Sequence, residues 1–199
     1  MPVPDMFVSA DVEADGPVPG LYSMLSLGFC VAATFDGVNF VPRDPTRDTF
    51  YRELKPISPN FDANALKVSG LDRAALGENG SDPVAAMLEA RSWLKEKAYG
   101  FNLVMVGYPI VFDWMFIHWY FVRFLGESPF GFSNALDMKT MFQQKAYVTL
   151  ESSGLSDLPS EIASSRRHTH NAMEDAIDQA VIFNRLFVWQ GIAGRGATK

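Results

Sequence analysis

The sequence predicts an α/β protein, a mixed sheet of roughly five strands with helices on its faces. Two observations carry that prediction. Strand-like runs follow one another in the first third of the chain, and helical and strand-like runs alternate after it. The bulk properties agree: 199 residues, 48% hydrophobic and 20% charged, suffice for a real core and exclude disorder over most of the length.

Residues 7–14 read as the first strand, ended by Gly16, Pro17, Pro19 and Gly20. Residues 22–33 read as the second, followed by an Asp36-Gly37 hairpin turn. A third strand is expected at 38–41, with a further extended stretch at 50–54, and the first three strands should be antiparallel. A short helix over 63–68 is closed by Gly70. Asp82 as N-cap and Pro83 at the first helical position open a longer helix that ends by Gly100. Its apolar face is read as Val84, Met87, Leu88, Leu94 and Ala98.

A buried strand at 103–106 then leads to a helix from Asp113 to residue 125. A short strand at 135–137 and a helix over 139–146 follow. Residues 151–169, rich in serine and polar groups, read as loop. The last helix covers 171–190, with Met173, Ala176, Ile177, Ala180, Val181 and Phe187 on its apolar side and Gly191 as its stop. No repeat or linker interrupts the chain, so residues 1–191 are expected to form one domain and 192–199 a flexible tail.

Composition narrows the setting. Cys30 is the only cysteine, so no disulfide forms within the chain, as suits a reducing cytoplasm. The start, Met-Pro-Val-Pro-Asp, has neither the basic nor the apolar part of a secretory signal. The apolar stretch 101–125 carries Asp113, His118 and Arg123 and is broken by Gly107 and Pro109, which argues against a membrane span. The net charge of −6 excludes a protein that grips long duplex nucleic acid by its backbone, a task for Lys and Arg. A short nucleic-acid footprint at a metal site remains compatible with it.

Five residues stand out for chemistry. Asp11 and Glu13 are two apart in Phe-Val-Ser-Ala-Asp-Val-Glu-Ala-Asp-Gly (7–16), so both carboxylates point to one side of the strand. Buried, they require a partner or a cation; the competing reading is a solvated edge strand. Asp113 opens an aromatic helix, either as a cap or as a ligand. Five residues on a helix turn through about 140°. His170 and Asp175 therefore converge only if His170 lies before or at the first turn and Asp175 projects from the second. Otherwise His170 belongs to the cap, and Asp175 is a surface acid like Glu174 and Asp178, which are both assigned to the surface. His168 competes with His170, and His118 is read as a packing residue.

Taken in order, these residues resemble the DEDDh branch of 3′–5′ exonucleases in the ribonuclease H-like superfamily, relatives of proofreading exonuclease subunits, ribonuclease T and oligoribonuclease. Asp11-Val12-Glu13 matches the family's Asp-x-Glu, Asp113 in Phe-Asp-Trp-Met its second motif, and His170 to Asp175 its His-x-x-x-x-Asp. Asn64-Ala65-Leu66-Lys67-Val68-Ser69-Gly70-Leu71 and Asn134-Ala135-Leu136-Asp137-Met138-Lys139-Thr140 are similar to two further family segments.

The resemblance implies a three-layer α/β/α ribonuclease H-like fold. It also implies hydrolysis of phosphodiester bonds from the 3′ end of single-stranded DNA or RNA, releasing 5′ mononucleotides. Two Mg²⁺ or Mn²⁺ ions, about 3.5–4 Å apart, would clamp the attacking and leaving oxygens; oxygen ligands suit these ions better than zinc. In the implied roles Asp11 bridges both ions. Glu13 and Asp175 complete the site of the nucleophilic water, Asp113 acts through water or the second ion, and His170 takes the water's proton.

Where many members carry Thr-Thr-Gly, this chain has Ala14-Asp15-Gly16, which alters the expected contact of Ala14 with the terminal nucleotide. Asp15 either supports the ligands or shapes the turn. Arg166 and Arg167 either meet the phosphate backbone or are solvated loop charges. Tyr22, Trp114 and Phe116 stack the terminal base or pack the core. Trp119, Tyr120 and Phe124 form a homodimer surface or more core. Two other functions share this fold and these residues: a non-catalytic module that binds nucleic acid or a partner, and a metal-dependent nucleotidase.

Overall fold

A single strand forms the spine of the sheet. β1 (Asp5–Ala14) runs antiparallel to β2 (Met24–Phe35) on one side and parallel to β5 (Asn102–Gly107) on the other. The computed structural model describes residues 2–165 and 169–192. β3 (Phe40–Pro42) and β4 (Thr49–Glu53) pair antiparallel with successive stretches of β2, and β6 (Ala135–Asp137) adds parallel to β5. The order β3-β2-β1-β5-β6, with β4 beside β2, is the expected mixed sheet.

The helices are α1 (Ala63–Ser69), α2 (Arg73–Asn79), α3 (Pro83–Lys97), α4 (Ile110–Leu125), α5 (Met138–Ala146) and α6 (Ala172–Val188). β1 sorts its side chains between two cores. Met6, Val8, Ala10, Val12 and Ala14 pack in one cluster with Met87 and Leu94 of α3 and Phe116 and Tyr120 of α4. Phe7 packs in the other, with Phe142 of α5 and Ala176, Phe183 and Leu186 of α6. A strand alternates its faces residue by residue, so Ser9, Asp11 and Glu13 share the α6 side with Phe7. β1 is flanked on both edges as far as Ser9; beyond it Asp11 and Glu13 keep β2 on one edge only.

Several sequence expectations shift. α4 begins three residues before Asp113, with Pro109 at its N-cap, so Asp113 sits inside the first turn and caps nothing. α2, capped by Asp72 through Ala74 N–H and Ala75 N–H, was not foreseen; it is short and has only Leu76 buried. In α3 the buried stripe is Pro83, Ala86, Met87, Ala90 and Leu94, whereas Val84 and Leu88 are each 41% exposed. The small alanines let the helix close against its neighbours and turn the larger Val84 and Leu88 outward. Among the described residues, no helix is long and apolar enough to cross a membrane.

Candidate active site

Asp11 and Glu13 are placed by β1 alone. Asp11 lies opposite Gly28 of β2, and Glu13 opposite Ser26. β5 pairs with β1 only as far as Ser9. Beyond that point the N–H of Val12 has no strand partner on that edge, and a buried main-chain donor needs an acceptor. Asp113 supplies it: its Oδ1 accepts from Val12 N–H at 2.9 Å. One hydrogen bond thus fastens the first turn of α4 beside the two acids of β1.

α6 brings the rest. Its N-cap Asn171 accepts from Met173 N–H and Glu174 N–H at 3.1 and 3.2 Å. Gly28 makes the approach possible, because a Cβ there would come 2.2 Å from the carbonyl oxygen of Ala172. Only a glycine lets the start of α6 rest on β2 at the level of Asp11. His170, just before the cap, has φ +54, a left-handed backbone that is uncommon for a residue with a side chain. Asp175 is buried at 1% exposure, and its Oδ1 accepts from Thr169 N–H at 3.1 Å.

The result is a cleft of about 240 Å³ lined by Asp11, Glu13, Asp113, Asp175 and Asp178, with no lysine or arginine among the described residues that line it. Glu13, His170 and Asp175 each offer a ligand atom within 4.8 Å of the others. All five residues singled out in the sequence therefore meet in one region. Electrostatics registers the crowding. Burial, then the charges of Asp113, Glu13 and Asp175, push Asp11 well above the usual carboxylate range, against the pull of a hydrogen bond from Gln179. Burial and the charges of Asp175 and Asp113 push Glu13 up to about 8. Burial pushes Asp113 up to about 7, although the Val12 hydrogen bond pulls it down. Buried carboxylates without a cationic side chain are costly as anions, and oxygen ligands in such a set fit a hard divalent cation.

The remaining expectations divide. Asp15 is fully buried but faces away from the cleft: it accepts from Ser23 N–H at 2.5 Å and pairs with Arg73 Nε at 2.7 Å, and Arg73 also donates to the Ser58 carbonyl. Asp178, assigned to the surface from sequence, is 9% exposed and lines the cleft, because it lies one helical turn beyond Asp175 on the same face. Ala14 is buried at 7% exposure with its side chain in the core, so only its main chain is left to meet a nucleotide.

Phe116 and Tyr120 are fully buried, and the Tyr120 hydroxyl accepts from Met24 N–H at 2.7 Å. They belong to the core rather than to a stacking platform or an exposed dimer face. Trp114 stacks on His118 at 5.2 Å, consistent with packing. Arg166, Arg167 and His168 lie outside the described residues, as does the tail from 193 onward. Asp178, Gln179 and Gly28 were missed. The first two have a sequence signal, their spacing of three and four from Asp175 on one helix; Gly28 becomes visible only once the register is known.

No family model matches the chain. It is 38% identical over 183 residues to the 3′–5′ DNA exonuclease Cap18 of Escherichia coli, covering 90% of each chain. Among solved structures it is similar to the nuclease domain of 3′hExo, a DEDDh family member bound to rAMP, with a TM-score of 0.69, 13% identity and 92% of each chain covered. It is also similar to E. coli Exonuclease I in complex with a dT13 oligonucleotide, with a TM-score of 0.68 and 16% identity over 94% of this chain. The chain spans 42% of that larger protein. The fold and these likenesses define a ribonuclease H-like nuclease, a metal-dependent phosphodiester hydrolase. The chain belongs to the DEDDh family of 3′–5′ exonucleases and has that activity, which selects one of the three functions left open by the sequence.

Proposed function

We propose that the protein degrades single-stranded DNA from its 3′ end, one 5′ mononucleotide at a time, with two Mg²⁺ or Mn²⁺ ions held by Asp11, Glu13, Asp113 and Asp175. The observation that carries this reading is a cleft lined by carboxylates with, among the described residues, no lysine or arginine beside them. When bound, the two ions supply positive charge for the attacking and leaving oxygens of the phosphodiester.

The chain's own residues do the rest. Asp11 and Glu13 project from one face of a strand held by β2, and Asp113 is held by Val12 N–H, so the ligands are set before substrate arrives. His170, close to Glu13 and Asp175, takes the proton of the attacking water; an imidazole suits that task near neutral pH. The main chain at Ala14 and the basic pair Arg166 and Arg167 contact the strand. DNA is favoured because Cap18, the 38% identical relative, is a DNA exonuclease.

The test is a pair of 5′-labelled single-stranded oligomers, one DNA and one RNA of matched sequence, incubated with Mg²⁺ or Mn²⁺. Stepwise shortening of the DNA from its 3′ end, faster than of the RNA and abolished by chelator, is expected. Faster shortening of the RNA, or metal-independent cleavage, would contradict the proposal.

A further inference from the structure

We infer that Gln179 is a positioning residue for Asp11: it locks the orientation of that carboxylate by tying it to the turn that follows β5. The inference rests on the reading of Asp11 as a metal ligand.

Gln179 lies four residues after Asp175 on α6, so it falls on the same face one turn further along. It is buried at 7% exposure. Its Nε2 donates to Asp11 Oδ1 at 2.7 Å, and its Oε1 accepts from Tyr108 N–H at 2.7 Å. The amide has one admissible orientation. A main-chain N–H can only donate, so the carbonyl end must face Tyr108; the NH₂ end then faces a carboxylate, which accepts. Reversing the amide would set donor against donor and acceptor against acceptor.

The consequences follow from that polarity. Among the described residues, Gln179 provides the side-chain hydrogen bond to Asp11. A neutral donor fixes the carboxylate without placing a cationic side chain where it would compete with the ion. The bond occupies Oδ1 from the α6 side, and among the described residues Oδ2 accepts no hydrogen bond. Because Tyr108 follows β5 directly and Asp11 belongs to β1, the same amide fixes three separate segments relative to one another. Room for it comes from Gly107, where a Cβ would stand 3.3 Å from Gln179 Oε1 and 2.6 Å from Ile110 Cδ1. Hydrogen-bond partners of metal-binding side chains typically govern affinity by about 10–100-fold.

The experiment compares wild type, Gln179→Met and Asp11→Asn. Mn²⁺ dissociation constants are read by electron paramagnetic resonance, alongside kcat and KM for a single-stranded DNA oligomer at rising Mn²⁺. Methionine keeps the length and volume and removes both polar ends. The expected result for Gln179→Met is Mn²⁺ binding about 10–100-fold weaker, an unchanged KM for DNA, and a kcat that recovers as Mn²⁺ is raised. Wild-type Mn²⁺ affinity in Gln179→Met, with only the melting temperature lowered, would make Gln179 a structural residue and overturn the inference. Wild-type affinity in Asp11→Asn would instead overturn the reading of Asp11 itself.

Should Gln179→Met fail to fold, the side-chain amide resonances of Gln179 in the wild-type protein carry the test. They should shift during Mg²⁺ titration, with the same midpoint as catalysis. Resonances that stay fixed through metal saturation would overturn the inference.

Discussion

Asp15 and its neighbours Asp11 and Glu13 stand on one length of chain, yet they meet opposite fates. Asp15 is fully buried and has its cation built in: Arg73 at 2.7 Å, with Ser23 N–H as a second donor. Asp11 and Glu13 point into a cleft lined by further acids and, among the described residues, by no lysine or arginine, and their carboxyls are driven up by burial and by neighbouring carboxylates. A buried acid with its partner supplied is structure. A buried acid without one marks the place where a cation from outside belongs. Removing a group on the paired side should therefore damage stability, and in the cleft activity.

The largest effect is expected in the cleft. His170→Ala should lower kcat by about 10²–10⁴ if the imidazole takes the proton from water, while the thermal melt stays close to wild type. A variant of unchanged turnover would remove His170 from that role and shift attention to His168. On the paired side, Asp15→Asn should cost about 3 kcal/mol in urea unfolding, because it strips a buried partner from Arg73. Its residual activity at a temperature where it is folded should remain near wild type. A loss of activity without a loss of stability would erase the distinction between the two kinds of acid.

A smaller effect tests how the acids of the cleft are gathered. Gly28→Ala puts a methyl group where the Ala172 carbonyl now lies, 2.2 Å away, so the start of α6 must move off the sheet. Overpacking of this kind costs about 1–3 kcal/mol. Activity should fall further than the lost stability explains, since His170 and Asp175 travel with α6.

The smallest effect is a pH slope. Glu13 is raised from 4.5 to about 8 and Asp113 from 3.8 to about 7. In both cases the folded form holds its proton more tightly than the unfolded form. Their contribution to metal-free stability is therefore fully present below pH 4, and it is lost as pH rises through that window to about 8. Urea melts in chelator at pH 5, 6.5 and 8 should show declining stability, and Glu13→Gln should flatten the decline. Saturating Mg²⁺ should remove it by compensating the charges.

Much of this was legible in the sequence, for identifiable reasons. The alternation of β1 put Asp11 and Glu13 on one side, and Asp82 with Pro83 marked the start of α3, because both signals are local. The five acidic and imidazole positions were found through their order along the chain. Features that depend on contact between distant segments were hidden. Asp113 looked like a helix cap because its real partner, Val12 N–H, becomes available only where β5 stops pairing with β1. Asp178 looked like a surface acid because nothing local says that this turn of α6 faces the cleft. Asp15 looked like a possible member of the site until Arg73, on a helix not foreseen, claimed it.

The most direct test of the cation site is anomalous scattering from a crystal soaked in Mn²⁺. Two manganese peaks are expected in the cleft, coordinated by oxygens of Asp11, Glu13, Asp113 and Asp175. A fully soaked crystal with those side chains in place and no peak among them would contradict it.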